Sequence, residues 1–195
     1  KHAGIGATLR AEAERFGGRV ERLINTHHHA DHTGGNAAFR PDLPILAHPN
    51  LGPRVAMQVD RFRQVARGIL GQMRGSGAPE AAIERAESFV SAADDLQPES
   101  FWPTELITNE RTLRVGSLRV ECYHTGHGHT DNDVYVFLPE RNVLHAGDLL
   151  FHELHPFVDR AAGATTEGWQ DRLDEMMNLC DPETIVVPGH GEITD

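Results

Sequence analysis

A short strand-like run from Val20 to Ile24 leads into Thr26-His27-His28-His29-Ala30-Asp31-His32, and no other segment constrains the chain as strongly. A lone histidine is usually a satisfied core or surface residue. Four potential metal ligands within six residues are hard to explain that way. In an extended loop, residues two apart point the same way. His27 and His29 can therefore grip one ion, while Asp31 and His32 diverge from them and can serve a second. Neutral imidazole and carboxylate suit zinc, and also iron and manganese. The run is internal and follows a strand, so it is not a purification tag.

The remaining histidines strengthen this reading, because the chain has 13 in 195 residues and most are clustered. The formal net charge of −11 disfavours a nucleic-acid partner held through phosphates, since that mode needs clustered Lys and Arg. No run approaches the roughly 18 apolar residues of a membrane helix. Cys122 and Cys180 have no zinc-ribbon spacing and read as small apolar residues. Lys1 is not a methionine and no charged-then-apolar leader precedes it, so the chain reads as a piece trimmed at both ends. A cytoplasmic location is the expectation, with export compatible on that account.

Along the chain, the spacing predicts a helix over Thr8 to Phe16, with Leu9, Ala13 and Phe16 on one side. A short helix is expected after Gly34-Gly35-Asn36, broken at Pro41 and Pro44, then a strand at Ile45 to Ala47. Two helices, Leu51 to Met73 and Pro79 to Ala93, form a block at about 50–95 that reads as an insertion within one domain spanning 1–195. The second half turns to strands. Thr112 to Val115 and Leu118 to Tyr123 flank Gly116-Ser117, and Val134 to Leu138 and Val143 to His145 flank Pro139-Glu140-Arg141-Asn142, giving two hairpins. An amphipathic helix follows over Thr166 to Cys180, with Trp169, Leu173, Met176 and Met177 on one face and Thr165 or Thr166 as its cap. A last strand runs from Thr184 to Val187. The polar clusters thus follow strand ends, as sites on sheets commonly do.

The pattern His27-x-His29-x-Asp31-His32 resembles the signature of the metallo-β-lactamase superfamily. Gly128-His129-Thr130, Ala146-Gly147-Asp148 and Pro188-Gly189-His190-Gly191 resemble its later motifs, in the same order. The resemblance runs from about Val20 to the C-terminus. It implies an α+β fold, the four-layer αβ/βα sandwich, with part of the N-terminal sheet missing from this chain. It also implies two divalent cations, with zinc favoured over iron or manganese. His27, His29 and His129 would hold the first, Asp31, His32 and His190 the second, and Asp148 would bridge them. An aspartate at the bridge resembles the glyoxalase II and lactonase-like branches more than the antibiotic-resistance lactamases.

The implied activity is hydrolysis of an ester, thioester, lactone or amide, including a β-lactam, of a small-molecule substrate. Two ions roughly 3.5–4 Å apart clamp a hydroxide nucleophile and polarise a carbonyl, and Asp31 would orient that hydroxide. A non-haem iron oxidoreductase resembling the sulfur dioxygenases is the alternative on the same fold. A nucleic-acid hydrolase is disfavoured by charge, and a homo-oligomer is compatible with the sequence.

His127 is the main rival of His129, and His124 a weaker one. His28 is out of register and reads as a supporting or exposed residue, and His145 as structural. His48 is open. Asp131, Asn132 and Asp133 are expected to shape the loop. His152, His155 and Trp102 are candidates for substrate contact, with Phe101 beside them.

Overall fold

The computed structural model describes residues 2–40 and 42–194, so the helix break expected at Pro41 lies outside the described residues. Helix α1 (His2–Arg15) starts earlier than its apolar spacing suggests. Its apolar side is not buried: Leu9 is 59% and Phe16 91% exposed. The helix instead meets the body through Gly6, whose position lies against the main chain of Gly35.

Two sheets carry the site. The first is parallel, in the order β1 (Leu23–Ile24), β2 (Ile45–Ala47), β3 (Glu105–Leu106). The second has the order β4 (Glu110–Val115), β5 (Leu118–Tyr123), β6 (Tyr135–Leu138), β7 (Val143–Phe151), β8 (Ile185–His190). Strands β4 to β7 are antiparallel neighbours and β8 runs parallel to β7. Gly116 has φ +60° and Asn142 φ +51°, the left-handed backbone that tight hairpin connections call for.

The sheets face each other through Leu46 and Ile107 on one side and Val120, Cys122, Val134 and Val136 on the other. Alternation along β5 buries Val120 and Cys122 and leaves Arg119 outward. On the far face of the larger sheet lies α5 (Thr166–Met177), which buries Trp169 and Met176 against Tyr135, Leu144, Ala146 and Leu149. Thr165 caps α5, its hydroxyl accepting from Gly168 N–H at 3.1 Å. Met177, expected on the buried face, is 70% exposed, because the helix ends there and the chain turns away.

In the chain between β2 and β3, α3 (Leu51–Gly75) and α4 (Glu80–Asp94) form an antiparallel pair joined by Arg67–Asp94 and Arg74–Glu87 ion pairs. The N-terminal half of α3 buries Leu51, Val55 and Val59 beside Ala47 and Phe101. The helix expected after Gly35 is one 3-10 turn, Asn36–Ala38. No helix is long and apolar enough to cross a membrane among the described residues. Both cysteines are free; Cys122 is buried, as expected, and Cys180 only half-buried.

Candidate metal centre

The segment after β1 bends through residues 26–28 and reaches His29, the N-cap of α2 (Ala30–Thr33), with φ −59° and ψ 149°. His27 and His29 nonetheless converge, with ring nitrogens 3.0 Å apart, whereas Asp31 and His32 occupy a helical turn. The segment is tied down by groups that the sequence did not flag. Asn25 and Asn36 exchange side-chain hydrogen bonds at 2.8 and 3.1 Å, and Asn25 Nδ2 donates to His32 O. Val134 N–H donates to Thr26 O at 2.7 Å, bridging to the second sheet.

This brings His27 Nε2, His29 Nδ1 and His129 Nε2 together, at 3.0 Å and 3.1 Å from the central His29 nitrogen. Asp148 Oδ2 stands 3.6 Å from His27 Nε2 and 3.4 Å from His129 Nε2. The donor atoms of these four buried residues all lie within 4.8 Å of one another. The outer ring nitrogens are anchored. His29 Nε2 faces Asp159 Oδ2 at 2.9 Å and His129 Nδ1 faces Phe157 O at 2.8 Å. Carboxylate and carbonyl can only accept, so the protons sit on those outer nitrogens. The inner nitrogens are left as two lone pairs facing each other at 3.1 Å. Such an arrangement is repulsive unless a cation lies between them, and it fits a metal held by neutral imidazoles with oriented outer partners.

A second group, Asp31, His32 and His190, lies beside the first. Asp31 Oδ2 is 3.3 Å from both His32 Nε2 and His190 Nε2. Asp148 reaches this group too, with Oδ1 3.2 Å from His32 Nε2 and Oδ2 3.4 Å from His190 Nε2. At ion-pair distance, His32 Nε2 and Asp148 Oδ1 are nonetheless misaligned, and each is buried without a hydrogen bond. Unpartnered buried polar atoms are rare and need a reason. A divalent ion held by this group would supply one.

Asp148 owes its place to an irregular strand. β7 continues through Phe151 rather than ending at His145, and its pairing with β8 shifts register on both sides of Gly147. Gly147 has φ +54° and lies against the Thr26 side chain, turning Asp148 inward. Gly189 on β8 is in contact with Asp148 and the Gly147 main chain, and a side chain there would collide with Asp148 Oδ1.

Burial, followed by neighbouring imidazoles, holds the His27 pKa well below its ordinary value. Burial likewise pushes His129 down to about 4. Both are neutral near pH 7, the form that binds metal. For His32, burial lowers the pKa, but Asp148 and then Asp31 outweigh it and the net shift is upward.

His127, the rival of His129, is turned away, its Nδ1 3.2 Å from Gly163 O. His124 Nδ1 faces Asp133 O, and its ring stacks on His48 with centroids 3.9 Å apart. His145 Nδ1 accepts from Gly147 N–H, a local structural contact. His28 is neither exposed nor aimed at the ligand cluster. It is buried, with Nδ1 accepting from Asn132 Nδ2 at 3.0 Å and Nε2 3.8 Å from Asp159. Arg54 of α3 grips Asp131 with Nε and Nη2 at 3.1 and 2.6 Å, linking the helical pair to the His129 loop. Asp159 and Arg54 act across 130 and 77 residues, and Asn25 and Asn36 pair only once the loop between them folds back, so no local pattern marks any of the four. The Asp159 position carries no local motif.

A cavity of about 320 Å³ opens on the ligands, lined by Ala30, Asp31, Asp148, Phe151, Phe157 and His190, with His29 at its edge. Phe151 stacks on His190 with centroids 5.1 Å apart. The three residues expected to touch substrate do not line it. His152 is turned by a contact between its Nδ1 and Glu192 O. His155 is exposed in the following loop. Trp102 packs over Gly52 at the start of α3, where a Cβ would sit 3.3 Å from the indole. Phe151 and Phe157 take the lining positions instead.

The architecture and the cluster agree with comparisons to known proteins. The profile of the metallo-beta-lactamase superfamily matches residues 3–190. A metallo-beta-lactamase type 2 from Bacillus cereus is 26% identical over 182 residues, covering 93% of this chain and 56% of that protein. Another metallo-beta-lactamase type 2, from Bacteroides fragilis, is 28% identical over 90 residues, covering 46% of this chain and 36% of that protein. The chain thus spans little more than half the length of the first of these relatives. A metallo-beta-lactamase structure from Pontibacter korlensis superposes with a TM-score of 0.63 at 19% identity, covering 96% of this chain and 70% of that one, and supports the fold. With its α+β arrangement of two facing sheets and its four motifs in order, the chain belongs to the metallo-β-lactamase superfamily.

Proposed function

We propose that this chain carries the dinuclear metal centre of a hydrolase that cleaves an ester, thioester, lactone or amide bond in a small molecule. One observation carries the reading: the tautomers imposed by Asp159 and Phe157 leave lone pairs of His29 and His129 facing each other beside Asp148. His27, His29 and His129 would hold one ion, Asp31, His32 and His190 the other, and Asp148 both. When bound, two divalent ions, zinc favoured, supply Lewis-acid polarisation of a carbonyl and acidify water.

The chain's own residues supply the rest. Asp31 lines the cavity and its side chain is 59% exposed, so the carboxylate oxygen that does not face His32 and His190 can accept a hydrogen bond from water and orient it. Phe151 and Phe157 wall the cavity with apolar rings, which favours an uncharged reacting carbonyl there over a hydrated ionic group. The carboxylate at position 148 inclines the reading towards thioesters and lactones rather than β-lactams, the class named in the Bacillus cereus relative.

The experiment is elemental analysis of the full chain purified without chelators or added metal, followed by a screen of lactones, thioesters and a chromogenic β-lactam. About two zinc ions per chain with turnover of any of these would support the proposal. Close to one iron per chain, with oxygen consumption on a thiol substrate, would replace it with an oxidoreductase.

A further inference from the structure

Beside the metal cluster runs a second, larger cavity of about 840 Å³, lined along α3 by Met57, Arg61, Phe62 and Val65 and across from it by Phe157 and Ala161. It shares His29 and Phe157 with the smaller cavity, so the two adjoin. We propose that this groove is the substrate's specificity site and receives an apolar arm that ends in an anionic group bound by Arg61. The proposal rests on the hydrolase reading for its chemistry, but not for the binding itself.

Helical spacing explains the groove wall. Met57, Arg61 and Val65 are four apart and share one face of α3. Among the described residues that face is largely open: Met57 is 61% and Val65 51% exposed. Phe62 is fixed by an edge-on contact with Phe89, ring centroids 5.0 Å apart, so the wall is preformed. Phe157 is itself 61% exposed and sits at the junction of the two cavities.

Charge selects the occupant. Arg54 is committed to Asp131 and Ala161 O, Asp60 to Arg63, and Asp159 to His29. Among the described residues, Arg61 is the charged side chain lining the groove that has no ion pair or hydrogen bond. An unmatched guanidinium favours an anion. Arg61 lies seven positions along the helix from Arg54 at the site's border, a rise of about 10 Å. That is room for an acyl arm of medium length between the reacting carbonyl and its terminal anion.

The probe is octanoate, titrated calorimetrically into the full chain as purified, beside butanoate and octyltrimethylammonium. Each methylene withdrawn from water tightens binding by up to about fourfold. Octanoate should bind at least about tenfold more tightly than butanoate, and more tightly than the cation of equal chain length. Met57→Glu and Val65→Glu alter exposed positions and should each weaken octanoate by about fivefold with metal content unchanged. Arg61→Glu should reverse the preference between the two head groups. Binding that ignores chain length, or that survives all three substitutions because the carboxylate sits on the metals, overturns the proposal. On the turnover side, a suberate mono-aryl ester should exceed the matching acetate in kcat/KM, and equal values would also overturn it. Loss of all turnover with the octanoate pattern intact would sink the hydrolase reading and leave the groove standing.

Discussion

The Nε2 nitrogen of His29 lies 2.9 Å from Asp159 Oδ2, across 130 residues of sequence. The contact fixes which nitrogen of His29 carries the proton and leaves Nδ1 to face His27 and His129. Outer partners of this kind are worth about 10–100-fold in metal affinity. Asp159→Asn keeps the acceptor for Ala162 N–H and should lose metal affinity in that range, read by competition with a chromogenic chelator. Unchanged affinity would mean that His29 is oriented by something else.

Asp148 touches both ligand groups, whereas His28 touches neither inner nitrogen cluster but is buried against Asn132. Asp148→Ala should lower metal stoichiometry and activity together. His28→Ala should keep the stoichiometry and lower stability by about 1–3 kcal/mol, since Asn132 Nδ2 loses its buried acceptor. Elemental analysis paired with thermal melts separates the two. Loss of metal in the His28 variant as large as in the Asp148 variant would refute the assignment of the inner ligands.

Gly189 is needed for lack of a side chain, since a Cβ would meet Asp148 Oδ1 and the Gly147 main chain. Gly189→Ala should therefore cost the metal nearly as much as removing Asp148, although it deletes no ligand. A variant that binds metal normally would show that β8 can shift at no cost.

Burial raises the Asp133 carboxyl to about 7, despite hydrogen bonds from Thr130 N–H and Oγ1 that favour the anion. The folded state thus favours the protonated form. Its contribution to stability is complete below about pH 4 and is lost as the pH rises through about 7. Asp133→Asn stays uncharged throughout. Relative to wild type it should gain roughly 2 kcal/mol in stability between pH 5 and pH 8, measured by denaturant melts of the metal-free chain. A difference that does not change with pH would place Asp133 in a wetter setting.

Much of the centre was legible beforehand because its chemistry is local. The dense ligand run after β1 marks His27 and His29 as a pair, and their rings do converge. Likewise, the hairpins at Gly116 and Asn142 follow from turn chemistry. The α3–α4 pair followed from spacing and the Gly75-Ser76-Gly77 turn. Met177 and Leu9 lie exposed although their spacing puts them on apolar helix faces, because periodicity marks one side of a helix but not whether a partner covers it.

What the amino-acid sequence determined by itself was the order and kind of the ligands and the strands that present them, since these depend on short-range backbone geometry. Only the tertiary structure decided which ring nitrogens point inward, that His129 rather than His127 enters the cluster, that His28 is a buried strut, and that Asp159 and Arg54 brace the site. Each of those depends on groups brought together from distant segments, where the cost of burying an unpaired polar atom, not local propensity, selects the partner.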